Sequence, residues 1–291
     1  MNNLQKLNQV LREFNLDGVP QPLTGGTTQT FRVGDAVVKR IRETSLENNH
    51  SPELAAWIAA FSARIPQSGF RLPQPLPTIH QTWITAGGWI ATSFLEGRHA
   101  AAQDVPACIQ AIHALHAALK TVEKHPAMDD NRTAWGYAHR CCWGEKPEGL
   151  QPQLRGLVGE LYALRKPVKT STWQLIHGDL NPSNILIATG PAPTPPGKGL
   201  SPAILDFTPF WAPPEFALAI FANFAGPRRF DMSVLRYFEG IPGFDQLLVR
   251  AAIRMLLVVA ALNGLDGWET SEEKWAAEQI IQHVCRRSSG I

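Results

Sequence analysis

The stretch His177-Gly178-Asp179-Leu180-Asn181-Pro182-Ser183-Asn184 runs straight into the apolar triplet Ile185-Leu186-Ile187. A second apolar run, Ala203-Ile204-Leu205, closes on Asp206-Phe207. Few folds tolerate this arrangement. Polar, turn-forming residues lead into one short apolar strand, and a second short apolar strand ends in a carboxylate. The chemistry that uses such a trio is metal-assisted phosphoryl transfer. One carboxylate, Asp179, orients a hydroxyl nucleophile and takes its proton. Asn184, five residues on, reaches back across the same loop to a metal ion, and Asp206 supplies the hard anionic oxygen that Mg²⁺ prefers.

Such a site needs a cation for the nucleotide phosphates. Lys39 closes the predicted strand Ala36–Arg40, on the face opposite Arg40. A buried ammonium in turn calls for a carboxylate. Glu53, in the first turn of the next predicted helix, is the expected partner, with Glu47 as the rival. Gly25-Gly26-Thr27, leading into Thr28-Gln29-Thr30, reads as a turn over the nucleotide, its backbone N–H groups approaching phosphate. It does not have the G-x-G-x-x-G form.

The elements around these residues follow from pattern. Leu4, Leu7, Leu11 and Phe14 give residues 2–16 a helical apolar stripe. Thr30–Val33 and Ala36–Arg40 alternate as strands about a tight Gly34-Asp35 turn. Ser51-Pro52-Glu53 starts a helix that runs to about Ile65. A further hairpin is expected from Trp83–Thr85 and Trp89–Ser93 about Gly87-Gly88. Beyond Gly97 the texture turns helical, over 104–122, 150–165, 214–224, 231–239, 243–263 and 271–287. The strand-rich segment 173–207 is the exception. The fold class is therefore α+β, with a β-rich front half, a mainly helical rear half and a cleft between. Thr189–Pro202, with five Pro and three Gly, reads as an exposed hairpin extension.

Composition narrows the partners. A net charge of +2 gives no basic footprint for nucleic acid or an anionic membrane. Met255–Leu262 is too short to span a bilayer. Cys108, Cys141, Cys142 and Cys285 lack metal-ligand spacing, and with no signal-peptide pattern they read as reduced thiols of a cytoplasmic protein.

Taken together, the motifs resemble those of the aminoglycoside phosphotransferase and choline kinase-like family, the phosphotransferase enzyme family, which shares the bilobal protein-kinase-like fold. The resemblance covers about residues 20–225. His177-Gly-Asp179 with Asn184 is similar to the family's catalytic loop, and Ile204-Leu205-Asp206-Phe207 to its metal-binding strand end. Lys39 and Glu53 fall where its ion pair is expected. Ser93-Phe94-Leu95-Glu96-Gly97 resembles the hinge whose backbone, at Ser93 and Leu95, pairs with adenine. Ile112-His113-Ala114-Leu115-His116 resembles the helix behind the loop, and Pro213–Ala219 the segment after the metal Asp. By the same resemblance Val37 roofs the adenine, Leu186 floors it, and His177 buttresses the loop.

The implied organisation is a nucleotide-binding lobe at 1–92, a hinge at 93–97 and a rear lobe at 98–291. The implied cofactors are ATP and Mg²⁺. The implied partner is a small-molecule hydroxyl acceptor such as a sugar or amino alcohol. Thr208 replaces the glycine that follows Asp-Phe in protein kinases, and Ala212-Pro213-Pro214-Glu215 begins only six residues past Asp206. That leaves no room for a peptide platform. Residues 207–291 hold nine Asp/Glu and eight Lys/Arg, without the concentrated negative charge a polycationic aminoglycoside calls for. An antibiotic kinase and a nucleotide-binding module without catalysis are the alternatives.

Overall fold

The computed structural model describes residues 3–23, 29–41, 51–129, 132–189, 200–263 and 268–289. The amphipathic helix α1 (Asn3–Glu13) buries Leu7, Val10, Leu11 and, just past its end, Phe14. They meet Val33, Val38, Trp89 and Ala91 in a small core of their own. That core lies on one face of an antiparallel five-stranded sheet: β1 (Gln21–Pro22), β2 (Thr30–Val33), β3 (Ala36–Arg40), β4 (Pro75–Leu76) and β5 (Trp89–Ser93), in the order β1-β2-β3-β5-β4. Val33 pairs with Ala36 across the two-residue turn, where Gly34 adopts φ +56°, a conformation natural to glycine. Alternation then sorts β3. Ala36 and Val38 are buried with α1, while Val37 and Lys39 take the opposite face.

Residues 83–85 are not the hairpin partner expected for β5. Thr85 instead closes a turn, its N–H donating to Trp89 O at 2.9 Å and its Oγ1 accepting from Trp89 N–H at 3.1 Å. The strand beside β5 comes from the proline-rich stretch, as β4. Prolines suit that place because β4 is an edge strand and needs few donors.

The helix α2 (Pro52–Ser62) starts as the sequence predicts: Ser51 Oγ accepts from Leu54 N–H at 3.2 Å, and Pro52 takes the first helical position. Phe61 meets Phe207 edge-on with ring centroids 5.3 Å apart, which packs α2 onto the strand end that carries Asp206.

The rear half comprises β6 (Arg98–His99), α3 (Val105–Leu119), α4 (Ala134–Trp143), α5 (Pro152–Leu164), β7 (Gln174–His177), β8 (Ile185–Ile187), β9 (Ala203–Ile204), β10 (Pro209–Ala212), α6 (Pro214–Phe224), α7 (Phe244–Asn263) and α8 (Glu272–Ser288). The α7 helix is central and packs against α4, α5, α6 and α8. Two small antiparallel sheets, β10-β7 and β6-β8-β9, set the motif loop over this bundle. Segment 231–239 forms 3-10 turns and not an α-helix. Arg71 ties the halves together: its guanidinium donates to Ser201 O at 2.7 Å and Glu96 O at 3.1 Å. Among the described residues no helix is long and apolar enough to cross a membrane. All four cysteines are free, and three are buried.

Candidate active site

The motif loop begins where β7 ends. His177 is fully buried and acts as a three-way clamp. Its Nδ1 accepts from the N–H of Asp179 (3.2 Å) and of Thr208 (3.4 Å), and its Nε2–H donates to Leu205 O (2.9 Å). These partners assign the proton to Nε2. Burial holds the imidazole neutral, its pKa lowered to about 4. Behind it, His116 of α3 donates from Nδ1 to Ile112 O (2.8 Å) and accepts at Nε2 from His177 N–H (3.3 Å). Burial depresses that ring to about 3. One imidazole thus locks the motif-loop backbone to the strand end that follows Leu205. Gly178 is required by close approach: a Cβ there would fall 2.1 Å from Phe210 Cδ2.

Past Asp179 the chain is held by amides. Asn181 Oδ1 accepts from Ser183 N–H (2.9 Å) and Asn184 N–H (3.2 Å), an Asx cap on the short 3-10 turn Pro182–Asn184. Asn184 Nδ2 donates to Asp179 O (2.9 Å) and Asp179 Oδ2 (3.2 Å). With the amide nitrogen spent on Asp179, the amide oxygen is the atom Asn184 has for a cation.

Asp206 stands at φ +51°, the left-handed region that Asp tolerates better than most residues. Its carboxylate meets Lys39 Nζ at 2.8 Å. Both side chains are partly exposed, 27% and 48%, so the pair contributes at most about 1 kcal/mol. Thr208 fills the departure from the protein-kinase glycine without strain of its own. Its hydroxyl donates to Asp206 O (3.0 Å), and its carbonyl accepts from Gly178 N–H (2.7 Å).

Asp179 is half-buried at the surface of this assembly. Burial raises its pKa to about 6, with Asp206 adding to the rise. Arg254, Lys39 and the Asn184 hydrogen bond oppose it. Among the described residues no cluster of three or more His, Cys, Asp or Glu side chains is poised to cage a metal. Asn184 and Asp206 nevertheless fit Mg²⁺, which takes one or two protein oxygens and completes its shell with phosphates and water.

Glu53 is a correction. The structure does not bring it to Lys39, whose partner among the described residues is Asp206. Glu53 is exposed, and the Ser51 hydroxyl and its own backbone N–H hold its carboxyl below the usual range. A first-turn carboxylate has its own helix end to satisfy, and here that local demand wins. Glu53→Gln is expected to lower the melting temperature slightly at most and to leave the rise caused by ATP·Mg unchanged, readable by thermal melting with and without ATP·Mg. Glu47, and the turn residues Gly25, Gly26 and Thr27, lie outside the described residues.

Of the two hinge residues, Ser93 is committed elsewhere. Its N–H donates to Gln74 O (2.8 Å) and its Oγ accepts from Gln74 N–H (2.9 Å). Leu95 takes no part in that pairing and is half-buried. Val37 is half-buried on the Lys39 face of β3. Leu186 lies against the hinge: a Cβ on Gly97 would come 2.8 Å from Leu186 Cβ.

Sequence reasoning missed Arg254. It lies on α7, is 2% exposed, and stacks between the rings of Trp135 (4.8 Å) and Phe210 (4.6 Å). The available signal was a pair of arginines one turn apart, Arg250 and Arg254, inside an otherwise apolar helix. Phe210 is buried against Gly178.

The fold, an antiparallel-sheet lobe on a helical lobe, is of the protein-kinase-like class. The chain belongs to the Phosphotransferase enzyme family, whose model matches residues 19–255. Among solved structures it is similar to a microcompartment-associated aminopropanol kinase (15% identity, 99% of this chain and 98% of that one, TM-score 0.60). It is also similar to a thermostable mutant of aminoglycoside phosphotransferase APH(4)-Ia (15% identity, 98% and 99%, TM-score 0.58). The GDP complex of aminoglycoside 2'-phosphotransferase-IIIa is a further match (13% identity, 100% and 100%, TM-score 0.56). A search of curated protein sequences returns no match. At these identities the structural likeness speaks to the fold.

Proposed function

We propose that the protein transfers the γ-phosphoryl group of ATP to a hydroxyl of a small molecule. The supporting observation is the convergence at one seam of side chains from three distant segments: Lys39 on Asp206 at 2.8 Å, and Asn184 on Asp179 at 3.2 Å. Asp179 aims the acceptor hydroxyl and accepts its proton as the new O–P bond forms and the bond to ADP breaks. Lys39 holds the phosphates. Asn184 Oδ1 and the Asp206 carboxylate would hold Mg²⁺, which supplies neutralisation of the phosphate charge. Val37, Leu186 and Leu95 frame the adenine. Most of the barrier reduction comes from positioning and fixed charge.

The test joins two measurements. ATP·Mg is expected to raise the melting temperature of the chain, and Lys39→Met to remove most of that rise. An ADP-release assay over sugars, amino alcohols and hydroxy acids is expected to show acceptor-dependent turnover. A melting temperature indifferent to ATP·Mg defeats the reading. A rise with no acceptor turned over favours a nucleotide-binding module without catalysis. The balanced charge of residues 207–291 and the buried cation at Arg254 speak against a polycationic aminoglycoside as acceptor.

A further inference from the structure

The two arginines of α7 are buried in different ways. Arg250 spends its Nη atoms on main-chain carbonyls, donating to Gln246 O and Lys166 O at 2.8 Å each. Arg254 has no such carbonyls. Its Nε and Nη2 are buried and bonded to nothing among the described residues. Those two atoms lie on one edge of the guanidinium and carry two parallel N–H bonds, the fork that matches the paired oxygens of a carboxylate or phosphate. Its Cζ lies over the rings of Trp135 and Phe210, and neither ring offers the Nε/Nη2 edge an acceptor. A cation buried for stability alone would have its donors satisfied. This one also lies beside the reaction centre, because Phe210 packs against Gly178, the neighbour of Asp179. Its charge counters the effect of burial on the Asp179 carboxyl.

We propose that Arg254 anchors an oxyanion of the acceptor, which is then a hydroxy compound bearing a carboxylate or phosphate. The oxyanion seats on the Nε/Nη2 edge while the hydroxyl reaches Asp179. This rests on the phosphotransferase reading and narrows its acceptor class. Fixed by one group on the arginine and one on the aspartate, the acceptor is held in register for transfer. A neutral analogue lacks the first hold, and a polycation is repelled by it.

Matched pairs test this on the full chain: D-lactate against ethanol, D-glycerate against ethane-1,2-diol, and glycerol 3-phosphate against glycerol. Each is added without nucleotide in a thermal melt and with ATP·Mg in the ADP-release assay. The anionic member of at least one pair is expected to raise the melting temperature and to drive turnover at least ten-fold better than its neutral partner. The pair that responds tells carboxylate from phosphate. Arg254→Met is expected to weaken that response at least ten-fold while the shift caused by ATP·Mg alone persists. Arg254→Lys, which keeps the charge but not the two-toothed edge, is expected to fall between, and it carries the test if the Met variant does not fold. Neutral members acting as well as the anions, an unchanged anion response in either variant, or no response to any anion overturns the proposal. A missing ATP·Mg shift would defeat the phosphotransferase reading instead, since the nucleotide-free arm still reports on Arg254.

Discussion

Asp179→Asn is expected to abolish measurable turnover and at the same time to raise the melting temperature at neutral pH. The catalytic loss follows from the site. Asn has Asp's shape and can keep the bond from Asn184, but it cannot take the acceptor's proton, a step that contributes roughly 10²–10⁴ in rate. The stability gain follows from burial. The carboxyl is raised to about 6 in the folded chain, while an unfolded aspartyl titrates near 3.8. Between those values the native state holds a proton the unfolded state has lost, so this group's contribution to stability falls as pH rises from 3.8 to 6. Above pH 6 the charged, buried group costs on the order of 2–3 kcal/mol, which Asn removes. The variant's excess stability should therefore be greatest above pH 6 and fade as pH drops toward 3.8. Urea melts at pH 7.5, 6 and 5 measure it. An Asp179→Asn protein that is active, or that is less stable than wild type at pH 7.5, contradicts this account.

The same titration sets the pH dependence of wild-type turnover. A protonated Asp179 neither orients nor deprotonates the hydroxyl, so kcat/KM is expected to rise with pH through a limb near 6. Arg254 is the strongest of the influences that oppose burial at this carboxyl, so Arg254→Met should move that limb upward.

What could be read in advance is what the chain encodes locally. The β2–β3 turn, the Ser51-Pro52 helix start and the loop from His177 to Asn184 depend on residues a few positions apart, and they fold as their spacing dictates. The misses share a different origin. Glu53 had a chemically sensible partner in Lys39, but which way a first-turn side chain turns is settled by competition with its own helix end. The α4 helix escaped because Trp, Tyr, His and paired Cys form helices weakly, and burial against α7 decides the matter. The β10 strand escaped because Pro209-Phe-Trp-Ala reads as a loop until β7 is beside it. Arg254 comes near the motif loop only through tertiary packing on Phe210, since no local pattern ties a residue of α7 to a loop over the bundle.

His177→Ala is expected to be the most damaging single change to stability. The ring fills a wholly buried position and satisfies three main-chain groups at once: the N–H groups of Asp179 and Thr208 and the carbonyl of Leu205. Leaving buried polar groups unpaired, together with the cavity, costs about 3–5 kcal/mol, a large fraction of the stability of most domains. The loop and the Asp206 strand end are then no longer held by a common atom, so kcat should fall even where the variant folds. The ring also contributes to acid lability. His116, His139 and His177 are held neutral by burial, at about 3, 3 and 4, whereas unfolded histidine titrates near 6.5. As pH falls below 6.5 the unfolded chain gains protons the native chain refuses, so stability present above 6.5 is lost on the way toward 4. Asp179 opposes this with one proton, which leaves a net slope of about 3 kcal/mol per pH unit at its steepest. In His177→Ala one of those protons is gone. Its unfolding free energy should therefore start lower at pH 7.5 but decline less steeply between pH 6 and 5, in urea titrations run alongside wild type. Parallel declines would show that the ring is already charged in the native loop, a state in which Nδ1 could not accept from Asp179 and Thr208.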